Sequence, residues 1–570
     1  MKKIRNKIAG IALMVCLLST TSCDLFELDI NKNPNAPSQA SLSLLLTNVQ
    51  LNASATFAGG LNDATMGFVG ITTSVDNFGM VNSSWTGTWN YLYYNPLKDL
   101  QSMIDITAQQ RLDGAANPHY EGIAKTLKAY YFGTMVDLWG KVPYSEAFKG
   151  DGAETILAPV FDDDKAIYDD CIKLLDEAIA HFDEPSPVVV AGDVMYGGGA
   201  TTAARWKAAA KSIKLKLLLQ ISRKDATAIP KINALIADAT GLVGFGGNPD
   251  FQFRFSTTNN PDDRHPMYQA GYSGSQGAYT YFGHQFMYEL LANDDPRRPF
   301  YLKRQTDKVL SRDDNTEKQT MPCSQRTDCK YNYFPLSNFV AQGVYGLDAD
   351  QLTDTQKKFL AGFFGRDRAD PSGVPNDAVY RTNVGVYPAG GLYDDGPEAG
   401  GGNKGRGSGI FPMVTSWMVK LYIIEAVLAH GSPGDARDLF DDAMHQQFDK
   451  VNLEGTTLDP DTEEMEDGDI DEYIDDRLTE FDNAASNTAK LRVVLKQAWF
   501  MNFGNGFEVY NAFRRTGYPS DLQIPMQRPR NFALRLPYAS DEVNLNSNTP
   551  LVIYDSPNDA VFWDVLKFQF

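Results

Sequence analysis

The sequence is short of positive charge, histidine and cysteine, and each shortage argues against a class of function. Its 570 residues carry 52 Lys and Arg against 72 Asp and Glu, which gives a net charge of −20. A field of that sign repels phosphate backbones, so we expect no nucleic-acid partner. The six histidines form no H-E-x-x-H motif, and none has a second His or a Cys at short spacing. Each is therefore expected to be a surface or core residue rather than a metal ligand.

Sequence motifs for catalysis are also missing. There is no G-x-S-x-G elbow and no G-x-x-x-x-G-K-[ST] phosphate loop. Gly400, Gly402 and Gly405 match G-x-G-x-x-G, but no strand precedes them, so a flexible loop is expected instead of a dinucleotide site. A glycosidase needs two carboxylates close in space rather than in sequence, and the pattern leaves that alternative open.

Apolar and aromatic residues are plentiful. Hydrophobic residues make up 43% of the chain and aromatic residues 12%, which is enough to build a large core. With a strongly negative protein and many rings, a neutral ligand held by ring stacking is the binding mode that the composition favours.

The first residues have the pattern of a lipoprotein leader. Four basic residues precede the apolar run Ile8–Leu18, which is too short to span a bilayer, so residues 1–22 are predicted to be a signal peptide. Small residues then lead to Cys23, as in a bacterial lipobox, and Cys23 is predicted to become the lipidated first residue. The alternative is an ordinary secreted protein. Beyond Cys23 no run of 18 apolar residues occurs.

Three other cysteines remain after the leader and Cys23 are set aside. Cys171 lies on an apolar helical stripe, which predicts a small buried residue. Cys323 and Cys329 have five residues between them and are candidates for a small loop disulfide in an oxidising compartment. A metal site made of these two cysteines alone is not expected.

Helical periodicity divides the chain into a scaffold and an insertion. Apolar residues at spacings of three and four predict seven helices: Trp89–Ile104, Ile123–Leu138, one following Phe161, Ala203–Ser222, Phe411–His430, Ala436–Lys450 and Thr488–Phe503. The first four suggest helix pairs stacked like a solenoid. We predict one domain over 23–570, with the scaffold at about 40–225 and 411–515 and a loop-rich insertion at about 240–410.

Acidic residues are dense over Asp459–Asp476, where eleven of eighteen positions are Asp or Glu. Oxygen ligands at this density are able to take Ca²⁺, but Gly468 is misplaced for an EF-hand loop. A solvated loop between helices is the preferred interpretation. No cofactor is expected, and Ca²⁺ is left open.

Four separated segments resemble the SusD/RagB family of nutrient-binding outer-membrane lipoproteins, and they occur in that family's order. They are Leu28–Pro37 (LDINKNPNAP), Ala129–Ala147 (AYYFGTMVDLWGKVPYSEA), Phe513–Pro519 (FRRTGYP) and Phe562–Asp564 (FWD). The resemblance implies an all-α fold with tetratricopeptide-like helix pairs and a large irregular insertion. It also implies a lipid-anchored protein of the outer membrane, exposed at the cell surface, that catalyses no reaction. Such a protein acts as a lid on a TonB-dependent, SusC-like transporter and delivers oligosaccharides to it.

Candidate ligand residues follow from their location. Asp76, Asn77 and Trp85 lie in a Gly-, Ser- and Asn-rich stretch where the family often places ligand contacts, and four tyrosines lie in the insertion: Tyr268, Tyr272, Tyr279 and Tyr281. Trp89, Tyr93 and Trp206 fall on apolar helix stripes and are assigned to the core. Two alternatives stay open: the same scaffold binding peptides or glycopeptides, and a secreted glycan-cleaving enzyme.

Overall fold

A computed structural model describes residues 41–74, 80, 82–150, 155–273, 280–307, 354, 362–369, 381–397, 406–525 and 532–568. Within them the chain is mostly helical and its strands are short, which confirms the all-α prediction. The predicted residues Cys23, Asp76, Asn77, Tyr279, Cys323 and Cys329 lie outside these ranges.

The helices are numbered in chain order. They are α1 Leu42–Thr56, α2 Asn62–Phe68, α3 Thr86–Tyr94, α4 Pro96–Leu112, α5 Pro118–Trp139, α6 Asp164–His181, α7 Thr202–Ile221, α8 Ala228–Ala237, α9 Pro266–Tyr268, α10 His284–Ala292, α11 Arg298–Tyr301, α12 Ser416–His430, α13 Ala436–Leu458, α14 Asp467–Asn483, α15 Asn487–Met501, α16 Gly506–Thr516 and α17 Ser540–Leu545. Two π-helical segments, Phe57–Leu61 and Gln269–Ser273, follow α1 and α9 directly, and a 3₁₀ turn, Asn82–Trp85, precedes α3.

The N-terminal scaffold is organised around α5, which packs against α4, α6 and α7. Helix α5 begins at Pro118, whose fixed φ suits the first helical position, and ends before Gly140 at φ 69°. Asp163 caps α6 by accepting a hydrogen bond from the Ala166 backbone N–H at 3.2 Å. The predicted helix over Trp89–Ile104 is interrupted, because Pro96 cannot donate to the preceding turn and starts a new helix instead.

The core predictions for this scaffold are confirmed. Trp89 and Trp206 are buried, and the ring of Tyr93 is partly buried against the core. Cys171 is also buried, and burial raises the pKa of its thiol. These residues therefore stabilise the helix pairs by packing.

The C-terminal scaffold consists of α12 to α15, which pack against one another in sequence, with α12 also against α15. The prediction of a helix starting at Phe411 was wrong: Phe411 lies in a buried strand, because Pro412 disfavours a helix at the residue before it. The loop prediction for the acidic segment was also wrong from Asp467 onward. Asp467 and Asp469 stabilise the N-terminal turn of α14, and Ile470, Tyr473 and Ile474 bury its inner face.

A further helix, α16, lies at the end of the predicted scaffold, although periodicity did not identify it. Asn505 caps it by accepting from the Glu508 backbone N–H, and Gly517 ends it in the left-handed region at φ 79°. It packs against α2, so the end of the scaffold closes on its beginning.

All strands in the described ranges are short and pair antiparallel. The strands are β1 Thr72–Ser74, β2 Val142–Pro143, β3 Phe161–Asp162, β4 Phe251–Arg254, β5 Thr280–Phe282, β6 Leu302–Lys303, β7 Asn383–Val384 and β8 Ile410–Val414. They pair as β1 with β5, β2 with β3, β4 with β8 and β6 with β7. Two of these four pairs, β1 with β5 and β4 with β8, connect residues 240–410 to the rest of the chain. The β1–β5 pair holds the insertion against the segment that follows α2.

Three of the four family-like segments meet at the C-terminal end of α5. Asp137 in α5 accepts hydrogen bonds from Trp563 Nε1 at 2.9 Å and from Asn511 Nδ2 at 2.8 Å. Arg514 donates to the Asp137 backbone carbonyl at 2.7 Å, and the Leu536 N–H donates to the Leu138 carbonyl, also at 2.7 Å. Arg514 and the neighbouring Leu536 thus satisfy free carbonyls at the end of this helix, while Trp563 and Asn511 bind the Asp137 carboxylate.

Candidate functional site

A small pocket lies where the insertion meets the scaffold. Its volume is about 190 Å³. It is enclosed by the first π-helical segment and the start of α2, by β1, β5 and β7, and by α9 with the second π-helical segment. The lining residues are Ala58, Gly59, Gly60, Asp63, Thr72, Pro266, Met267, Ala270, Gly271, Tyr281, Phe282, Arg381, Thr382, Asn383 and Val384.

Both π-helical segments border this pocket. The first contains Gly59, whose φ −81° and ψ −131° depart from helical geometry, next to Gly60. Two adjacent glycines weaken the α-helix locally, which permits the wider turn. The second segment contains Ala270 and Gly271 of the wall. Single π-helical turns inside α-helices are frequent at functional sites, so two of them around one pocket mark it as a candidate binding site.

The structure brings two of the predicted ligand residues to this pocket. Tyr281 in β5 lines it, and the Arg366 guanidinium lies 4.2 Å above the Tyr281 ring. Trp85 stands at the edge of the pocket beside Gly60, which lines it. A Cβ atom added to Gly60 would lie 3.9 Å from Trp85 Cζ3. The Trp85 Nε1 atom is buried and has no hydrogen-bond partner in the described part of the chain. These residues come from segments almost 200 positions apart.

Two predicted tyrosines stand behind the pocket wall rather than in it. Tyr268 and Tyr272 stack with ring centroids 4.9 Å apart. Tyr272 donates its hydroxyl hydrogen to the Val384 carbonyl at 2.6 Å, and burial raises its pKa. This stack holds the second π-helical segment against β7, so both rings position the wall.

Sequence reasoning missed the polar residues on β7 and beside it. Arg381 and Asn383 are buried, and Arg381 Nη2 donates to Asn383 Oδ1 at 3.2 Å. Neither residue lies in a periodic segment, and both reach the pocket only through the pairing of β6 with β7. No local signal identifies them.

A larger and more polar cleft lies between α10, α11 and α14, with a volume of about 1400 Å³. Arg298 and Arg304 on one wall share the buried carboxylate of Asp394, at 3.3 Å and 2.8 Å. Burial lowers the pKa of Arg298, Asp394 opposes this shift, and Arg304 adds to it. The other wall carries acidic residues from the Asp459–Asp476 segment. In the described ranges no three His, Cys, Asp or Glu side chains are arranged to hold a metal ion.

Comparison with protein families identifies the chain. Residues 34–333, more than half of it, match the family described as starch-binding and associating with the outer membrane, and residues 414–553 match the family of SusD and RagB outer-membrane lipoproteins. The chain belongs to the SusD/RagB family. Proteins of this family bind nutrients or glycans at the outer membrane and are not enzymes. Among curated proteins no match is found.

Solved structures of SusD-like proteins share the fold over nearly the whole chain. A chitin-binding protein is 20% identical with a TM-score of 0.64, covering 92% of this chain and 100% of its own. A SusD homologue from Bacteroides fragilis NCTC 9343 is 17% identical, with a TM-score of 0.63 and coverage of 92% and 99%. A SusD/RagB protein from Bacteroides thetaiotaomicron VPI-5482 is 16% identical, with a TM-score of 0.63 and the same coverage.

Within the described residues, no helix is both long enough and apolar enough to cross a bilayer.

Proposed function

We propose that this SusD-like protein is a cell-surface lipoprotein, anchored through Cys23, that captures oligosaccharides and delivers them to a TonB-dependent, SusC-like transporter. The observation that carries the proposal is the pocket at the junction of scaffold and insertion, with Trp85 and Tyr281 beside it. Aromatic faces stack on the C–H surfaces of sugar rings, while a few polar groups fix the orientation of the hydroxyls. The chitin-binding name of one structural neighbour is in line with a glycan ligand.

Calorimetry against a panel of oligosaccharides tests the capture step, with product analysis on the same samples. We expect binding without new reducing ends. Binding of peptides or glycopeptides but no free oligosaccharide would contradict the ligand class, and release of reducing ends would contradict a purely binding function.

The Trp85→Ala variant tests the position of the site. An aromatic contact contributes roughly 0.5–1.5 kcal/mol beyond its buried area, so affinity should fall by up to about tenfold. Tyr94→Ala is the matched control, because the Tyr94 ring is 65% exposed and lines a different surface pocket. Equal loss of affinity in both variants would place the ligand elsewhere, and a large loss of melting temperature in Trp85→Ala would return Trp85 to the core.

Delivery to a transporter is tested by purification of the full chain from its native membranes. We expect a SusC-like β-barrel to copurify in a stoichiometric complex. Recovery of the lipoprotein without such a barrel, at low and moderate salt, would contradict this part of the proposal.

A further inference from the structure

Asn383 presents a fixed hydrogen-bond donor to the pocket. Its side chain lines the pocket, and the residue is only 5% exposed. The atom that faces Arg381 Nη2 at 3.2 Å must be the amide oxygen, because arginine donates and never accepts. The remaining atom, Nδ2, is therefore an N–H₂ group, and it makes no hydrogen bond within the described part of the chain. A ligand that buries this donor must supply an acceptor, since an unpaired buried donor costs about 1–3 kcal/mol.

Most of the wall around this donor is carbon. The apolar part is formed by five residues from five separate elements: Ala58, Met267, Ala270, Phe282 and Val384. At about 190 Å³ the pocket is smaller than the roughly 300–1000 Å³ typical of drug-sized ligands, so it takes one compact group rather than a whole oligosaccharide. A bare hydroxyl is shorter than an acetamido group and has no carbon to place against this wall.

An acetamido group satisfies both features. Its methyl fits the carbon wall, and its carbonyl oxygen accepts from Asn383 Nδ2. The carboxylate of Asp63 lines the same pocket and is an acceptor of the kind that the acetamido N–H requires. Trp85 at the edge of the pocket then faces the sugar ring that bears the group.

We propose that this pocket is a subsite for the acetamido group, so that the captured glycan contains N-acetylhexosamine units. The inference rests on the proposed function and narrows it to one class of substrate. A sugar with a hydroxyl in place of the acetamido group would leave Asn383 Nδ2 poorly paired and would make no methyl contact with the carbon wall. These two losses give the site its specificity.

Matched sugars test the inference with the full chain purified in detergent. Each pair differs only in an acetamido or a hydroxyl group at C2: tri-N-acetylchitotriose with cellotriose, and the methyl glycosides of N-acetylglucosamine and N-acetylgalactosamine with those of glucose and galactose. We expect at least one acetylated sugar to bind tenfold or more tightly than its counterpart. Equal affinity within every pair, or preference for the hydroxyl sugar or for an N-acetylated peptide, would overturn the inference. Binding of unacetylated glycans alone would overturn it and leave the proposed function intact, whereas no binding of any glycan would contradict both.

Two variants locate the preference in this pocket. Asn383→Asp keeps an oxygen for Arg381 and removes the donor, so the preference for acetylated sugars should fall at least tenfold. Ala270→Leu fills the pocket from an exposed position and should weaken the acetylated sugars without changing their counterparts. Asn558→Asp, at an exposed position, is the control for added charge. An unchanged preference in Ala270→Leu would overturn the inference even if Asn383→Asp failed to fold.

Discussion

Arg514 offers a direct test of how the family-like segments stabilise the fold. Its guanidinium is completely buried between the rings of Tyr510 and Trp563, at 3.8 Å and 4.5 Å. It donates to the Leu534 carbonyl at 2.8 Å and to the Asp137 carbonyl at 2.7 Å, and also to an amide oxygen in α16 at 2.6 Å. We consider the substitution Arg514→Lys, which keeps the charge.

Two of these hydrogen bonds come from Nη2 and one from Nη1, and the single nitrogen of lysine cannot occupy both positions, so at least one of the three is lost. Each lost hydrogen bond leaves a buried oxygen without its donor, at about 1–3 kcal/mol. One such loss gives a decrease in the free energy of unfolding of about 1–3 kcal/mol. The stacking on two rings is weakened as well, which places the expectation in the upper half of that range.

Equilibrium unfolding in urea, followed by circular dichroism, measures this change. Arg437→Lys is the matched control, because Arg437 pairs with Asp482 at the surface and both side chains are nearly half exposed. We expect little change in the control, since exposed ion pairs contribute little to stability. If Arg514→Lys and Arg437→Lys unfold at the same urea concentration, the reasoning about the helix end is refuted.

Three further predictions concern charge, the anchor and the insertion. Burial alone would raise the pKa of Glu121, but hydrogen bonds from His181, Lys125 and Arg111 hold it well below its usual range. Its ionised form therefore stabilises the fold above the unfolded pKa of about 4.3, and this stabilisation is lost as the pH falls through the lower folded pKa. The deficit of Glu121→Gln in urea unfolding should be full at pH 7 and shrink below about pH 4; a deficit independent of pH would contradict this. Cys23→Ala should shift the protein from the membrane to the soluble fraction, and persistent membrane association would exclude the lipid anchor. Cys323 and Cys329 should resist alkylation until a reductant is added, and two freely alkylated thiols would exclude the disulfide.

Local sequence patterns predicted much of the helical scaffold. Periodicity identified α5, α7, α13 and α15 with ends within about five residues of those observed, apart from the last two turns of α13, and it placed the start of α6. The failures have local causes. Pro96 and Pro412 break helical patterns. The apolar stripe of α14 was not recognised because acidic residues dominate the composition of that segment.

The candidate site was predictable only in part. A Gly-, Ser- and Asn-rich stretch pointed to Trp85 and a tyrosine-rich loop of the insertion pointed to Tyr281, and both residues lie at one pocket. Tyr268 and Tyr272 lie in the same tyrosine-rich loop as Tyr281, but they support the pocket wall instead of lining the pocket. Asn383 has no sequence signal at all, because its role depends on a two-residue strand pair and on a donor fixed by Arg381.

The physical role of the family-like segments explains why they reveal the fold and not the ligand. Helix α5, whose last turns are themselves part of a family-like segment, ends with carbonyls that need donors. Arg514 of another family-like segment donates to Asp137, and two residues between the C-terminal segments supply the others: the Leu536 N–H to Leu138 and Arg535 to Trp139. Every protein that keeps this helix end must keep such donors, whatever it binds. The pocket, by contrast, is built from residues outside those segments, so the ligand can vary while they stay constant. Ligand class must therefore be argued from the pocket itself, where one buried amide donor and a carbon wall distinguish an acetamido group from a hydroxyl.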